Sequence, residues 1–149
     1  MTDKQYESKC WLNRMFGVAS HIESLKRKRE EVLASLSGIP KYEESFPGSD
    51  PKSVETKLVN YSELSAKIEE LLHLLNHEDA RTLDVIENLD DEMQKAILID
   101  RYLNRMSWQK IARHHNYSER QIYNIHDRAL ELIWPSIPRG DMFGDKKIY

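Results

Sequence analysis

Apolar residues recur along the first half of the chain with a helical rhythm. Trp11, Met15, Val18, Ile22, Leu25, Val32 and Leu36 follow alternating steps of four and three, with Arg29 as the one interruption in the series. Val54, Leu58, Tyr61, Ser65, Ile68, Leu72 and Leu75 repeat those steps, and Leu64 and Leu71 widen the stripe. This spacing lays an apolar seam along one side of a helix. The stretch Ser37 to Pro51 holds Gly38, Pro40, Pro47, Gly48 and Pro51 and reads as a loop. Two long helices joined by a loop are expected to pack antiparallel with a left-handed crossing, a coiled-coil-like hairpin. The period continues through Ala80, Leu83 and Ile86, which carries the second helix nearly to Asn88 and places a boundary at Asn88 to Asp91.

Past that boundary the helices shorten. Asp90 or Asp91 opens a helix to Leu103 whose Met93, Ile97, Leu98, Tyr102 and Leu103 face inward. Ser107 is a good N-cap, and Trp108, Ile111 and Ala112 then form one apolar face. Asn116 suits the left-handed conformation of a tight turn, Tyr117 follows as an apolar plug, and Ser118 caps a second helix. Ile122, Ile125, Ala129, Leu130 and Ile133 make that helix's buried stripe. Its other face shows Glu119, Arg120, Gln121, Tyr123, Asn124, Asp127 and Arg128. Helix, turn, helix with a polar outer face is how a protein presents side chains to the DNA major groove. Arg forks onto guanine, Asn or Gln onto adenine, and Glu accepts from cytosine. Lys110, Arg113, His114 and His115 on the preceding helix are placed for phosphates. The fold expected is therefore all-α: a hairpin over 1–88, a helix-turn-helix domain over 89–134 and an irregular tail over 135–149. Met142, Phe143 and Tyr149 give that tail the means to dock on a neighbour.

Charge qualifies this picture. The 149-residue chain has net charge -3, unpromising for a polyanion partner. The acid is concentrated in the first 89 residues, with 16 acidic and 12 basic, whereas 101–134 carries 6 basic and 3 acidic. So modest an excess predicts weak non-specific affinity and reliance on a second copy or a protein partner. Lys26-Arg27-Lys28-Arg29 reads as a solvated helix face balanced by Glu30 and Glu31. Glu31, Glu55 and Glu63 are the acids available to Arg29 in the seam.

Other chemistry finds little footing. His73 and His77 share a helix face at i, i+4, but no further His or Cys stands at ligand spacing, so they read as exposed residues and no metal or cofactor is expected. Asp90-Asp91-Glu92 is explained by helix capping and the helix dipole. The single cysteine, Cys10, excludes an internal disulfide, fits a reducing cytoplasm and reads as at least partly buried. No apolar run is long enough to span a membrane, and nothing points to an enzyme.

The segment Trp108, Ile111-Ala112, Tyr117-Ser118, Ile122, Ile125 and Arg128-Ala129-Leu130 resembles region 4 of bacterial sigma factors. With Arg101-Tyr102-Leu103 ahead of it and His126 to Leu130 closing it, the stretch from about Asn88 to Trp134 looks still more like phage-borne regulators of the ArpU and RinA type. The resemblance implies a phage or prophage transcription regulator that binds double-stranded DNA and activates late genes with the host's RNA polymerase, in bacterial cytoplasm. It implies contacts from Ser118, Glu119, Arg120, Gln121, Tyr123, Asn124 and Arg128, with Lys110 and Arg113 alongside. Tyr123 and Asn124 stand where the sigma pattern often has Arg and Gln, so a different base sequence is expected. The hairpin is expected to join copies into an oligomer. A DNA-recognition subunit of a packaging machine, or a sigma mimic that binds polymerase without reading DNA, remain the alternatives.

Overall fold

The computed structural model describes residues 1–37 and 51–139. The segment 38–50, read above as a loop, and the stretch from 140 on, with Met142, Phe143 and Tyr149, lie outside the described residues. Among the described residues six helices follow one another: α1 (Asp3–Leu12), α2 (Phe16–Ser37), α3 (Pro51–Ile86), α4 (Glu92–Leu98), α5 (Trp108–His115) and α6 (Glu119–Ile133). A π-helical turn, Ile99–Leu103, extends α4, and a short 3₁₀ turn, Trp134–Ser136, follows α6. No strand occurs among the described residues. The chain is all-α and carries a helix-turn-helix.

The chain divides into two compact units, one of Gly17–Asn76 and one combining Met1–Phe16 with His77–Tyr149. This differs from the boundary at 88/89 that the periodicity suggests. The reason lies at residues 13–15, where the expected seam helix is broken. Asn13 closes α1, its N–H reaching the Lys9 carbonyl, and Phe16 N–H returns to the Asn13 carbonyl at 2.9 Å. Trp11 therefore does not sit in the hairpin seam. Buried to 1% exposure, it belongs to a core with Leu12, Val85, Ile86, Leu89, Leu98, Tyr102, Ala129, Leu130 and Ile133. The Arg14 guanidinium lies over its indole, 3.8 Å from the ring centroid, and Arg14 also pairs with Glu78.

In the Gly17–Asn76 unit, Ile22 and Ile68 are buried and Arg29 is half-buried in the seam. Arg29 meets none of the three acids weighed for it. It donates to Ser65 Oγ at 3.4 Å and faces the Tyr61 ring at 5.9 Å. Arg29 and Tyr61 stand at similar distances from the connecting segment, the pairing expected of an antiparallel hairpin. Leu33, Val54, Leu58, Val59 and Leu74 are exposed.

The other unit closes around α6. A smaller core of Ile97, Ile111, Ala112 and Ile122, with Met93, Met106, Trp108 and Ile125 against it, joins α4, α5 and α6. Helix α1 packs along α6 as well, and Ser8, fully buried, donates to the Leu130 carbonyl at 2.8 Å. That carbonyl is in the last turn of α6, where helix acceptors lack intrahelical partners. Trp11→Ala is expected to cost this unit about 3–5 kcal/mol, read as a lowered urea midpoint by circular dichroism. A residue lining only a surface seam would cost much less.

Candidate nucleic-acid interface

Each boundary of the helix-turn-helix is fixed by local chemistry. Ser107 Oγ accepts the Lys110 N–H at 3.2 Å and starts α5. Asn116 ends it with φ 59° and ψ 39°, the left-handed region that Asn tolerates well. Tyr117 N–H then bonds the Ala112 carbonyl at 3.0 Å, so the chain reverses within two residues. Ser118 and Gln121 form a reciprocal capping box: the Gln121 N–H donates to Ser118 Oγ at 3.2 Å, and the Ser118 N–H donates to Gln121 Oε1 at 2.9 Å. Asp91 begins α4 in the same manner, accepting the Gln94 N–H at 2.9 Å.

The connection from α4 to α5 is pinned more unusually. Arg105 adopts φ 56° without being glycine. Its guanidinium donates to the Leu103 carbonyl at 2.7 Å and pairs with Asp79 at 3.2 Å, which holds the turn. Arg101 donates to the Met106 carbonyl at 3.0 Å and lies over the Trp108 indole, 4.4 Å from its centroid.

These anchors leave one face of α6 open. Glu119, Arg120, Gln121, Asn124 and Arg128 are exposed. Arg120, Asn124 and Arg128 recur at i, i+4 and i+8, a row about 12 Å long at 1.5 Å per residue, close to the width of the major groove. Lys110 and Arg113 are exposed on α5. None of these four cations is held in an ion pair among the described residues, whereas Arg14, Arg101 and Arg105 are engaged internally. The positive excess read over 101–134 is thus sorted by the fold into inward-facing arginines and a free set on the helix-turn-helix.

Four expectations shift. The Gln121 carbonyl oxygen is occupied by the cap, which leaves its amide N–H groups for a partner. Tyr123 rests edge-on against Trp108 at 5.0 Å rather than standing clear. Tyr117 is exposed instead of plugging the core, and His115, proposed for phosphates, is tied to Asp100 at 2.7 Å with its side chain 15% exposed. His73 and His77 are exposed beside Glu69 and Glu78, and Cys10 is half-buried on α1.

His126 is the site residue that sequence pattern passed over. It is buried on α6 within the stripe Ile122, Ala129, Leu130 and Ile133, a place its spacing announces. Tyr102 Oη lies 2.6 Å from His126 Nε2, and His126 Nδ1 lies 3.0 Å from Asp127 Oδ1. The consistent assignment has Tyr102 O–H donating to Nε2 and Nδ1–H donating to Asp127, a neutral imidazole. Burial drives the His126 pKa below its ordinary value, with the Asp127 carboxylate opposing, and burial pushes the Tyr102 phenol up. Helix α1 pins the same region, with Gln5 Nε2 donating to the Asp127 carbonyl at 2.9 Å and Thr2 Oγ1 to Glu131 at 2.8 Å. The sequence gives no local signal for that long-range contact.

Residues 90–131 match the family of homeodomain-like domains. A helix-turn-helix region of this kind supports DNA binding. Nothing among curated proteins or solved structures matches the chain. No helix among the described residues is long and apolar enough to cross a membrane.

Because the folded His126 pKa lies below the unfolded value of about 6.5, the unfolded chain takes up this proton first as pH falls. The stabilisation is complete above about pH 6.5 and declines below it. His126→Gln should therefore flatten the fall in urea midpoint between about pH 7 and 5, and an imidazole NMR titration should place His126 below the ordinary histidine value of about 6.5.

Proposed function

We propose that this chain is a sequence-specific DNA-binding transcription regulator of phage or prophage type, an activator of late genes that works with the host's RNA polymerase in bacterial cytoplasm. The observation that carries the DNA-reading part is the capped, rigidly seated α6, whose open face bears unpaired Arg120, Asn124 and Arg128. Arg120, Asn124 and Arg128 read base edges; Glu119, Gln121 and Tyr123 border them; Ser118 fixes the helix start; Lys110 and Arg113 hold phosphates. The late-gene and polymerase parts rest on the resemblance to sigma region 4 and to ArpU- and RinA-type regulators.

Free cations are few, so one copy has little non-specific grip. Exposed Leu33, Val54, Leu58, Val59 and Leu74 on the hairpin favour self-association, which adds a second reading head. Selection of bound duplexes from a random pool should yield a discrete motif. Arg120→Ala and Asn124→Ala should each cost about 1–3 kcal/mol at particular base pairs. Lys110→Ala and Arg113→Ala should weaken all duplexes alike and lower the salt slope by about 1 each. A wild type that selects no motif favours the sigma-mimic reading, and a ring of many copies favours the packaging one.

A further inference from the structure

Beside the open face of α6 lies a pocket of about 400 Å³. Asp91 and Gln94 at the start of α4 form one wall, and Asn124 and Arg128 on α6 form the other. Met93, Ile125 and the Tyr117 ring supply apolar sides. Gln94 is only 7% exposed, and its side-chain oxygen Oε1 is buried without a hydrogen-bond partner. Buried amide oxygens are nearly always bonded, so this orphan on a pocket-lining residue calls for a donor, and a half-turn of the Gln94 amide brings the oxygen to the pocket side. Asp91 adds a second acceptor there: its Oδ1 already takes the Gln94 N–H, and the carboxylate keeps further acceptor capacity.

The facing donors are the Asn124 amide and the Arg128 guanidinium. Arg128 is exposed and makes no hydrogen bond or ion pair among the described residues. A guanidinium carries five N–H donors in a rigid fork, so one edge can bond an amide oxygen and a carboxylate while the other stays free for a base or phosphate. Charge-assisted bonds of this kind are stronger than those of a neutral amide, and apolar surroundings strengthen them further.

Resting on the base-reading function above, we propose that Gln94 and Asp91 form a seat for the Arg128 guanidinium, filled when DNA docks, which aims its free edge at one base pair. Gln94 is then a positioning residue that sets specificity without touching DNA. The seat also accounts for an amide, where an apolar residue would pack as well, on the inner side of α4.

The test uses the full chain and duplexes carrying single base-pair changes in the selected motif. Gln94→Met keeps length and packing but removes the acceptor; Gln94→Glu retains it. Gln94→Met is expected to lower discrimination about tenfold at one base pair, the same one that Arg128→Ala relaxes. The double variant should lose no more than Arg128→Ala alone, and Gln94→Glu should preserve the preference. Uniform weakening across all duplexes, or relaxation at different base pairs, overturns the seat. One readout needs no substitution at Gln94. In the labelled wild-type complex the Arg128 Nε–H proton should exchange slowly, and exchange at the rate of free arginine contradicts the seat. A wild type that binds duplex but selects no motif brings down the base-reading proposal itself. A motif that Arg128→Ala relaxes and Gln94→Met leaves intact brings down only the seat.

Discussion

Ile122, His126, Ala129, Leu130 and Ile133 lie along one side of α6 and are withdrawn from water against α1, α4, α5 and the π-helical turn. Burying each of the three large aliphatic side chains contributes about 1.5–3 kcal/mol. Rotating the helix about its axis by one residue position forfeits much of the roughly 5–15 kcal/mol that holds a domain folded. The polar face is thus not chosen independently. It is what remains when the stripe is satisfied, and the capping box at Ser118 and Gln121 fixes where that face begins.

The same packing decides which charges matter. A net charge of -3 describes the chain but not the surface that DNA would meet. Arg101 is spent on the Met106 carbonyl and the Trp108 ring, Arg105 on a left-handed turn and Asp79, and Arg14 on Trp11 and Glu78. What is left free on the helix-turn-helix is a short set, Lys110, Arg113, Arg120 and Arg128. A site so lightly charged gains more from how well each arginine is aimed than from long-range attraction, since base contacts and not phosphate contacts carry sequence information.

Much of this unit could be read from the sequence, and the reasons are local. Ser107, Asn116 and Ser118 act within three or four residues of themselves, so their capping and turn roles are written in adjacent positions. The apolar stripe of α6 is likewise a matter of period. Where the reading went astray, the deciding contact was distant. Trp11 fits a heptad as well as any large apolar residue does, but its place is set by partners more than 70 residues on, at Val85, Ile86 and Leu130. Arg29 had three plausible acids and took a serine and a tyrosine ring. The period puts His126 on the buried stripe, but the partner that satisfies its ring, Tyr102, stands 24 positions earlier and has no local signal.

The DNA-contacting surface proposed here is the outer face of α6 with Lys110 and Arg113 of α5 beside it, and not the hairpin. Amide chemical-shift mapping of the labelled chain during titration with a short duplex tests it most directly. The account predicts shifts concentrated between Ser118 and Arg128, with smaller ones at Lys110 and Arg113, while the hairpin amides between Val54 and Leu75 stay in place. Shifts centred on the hairpin, or a titration that moves no amide of α6, would contradict it.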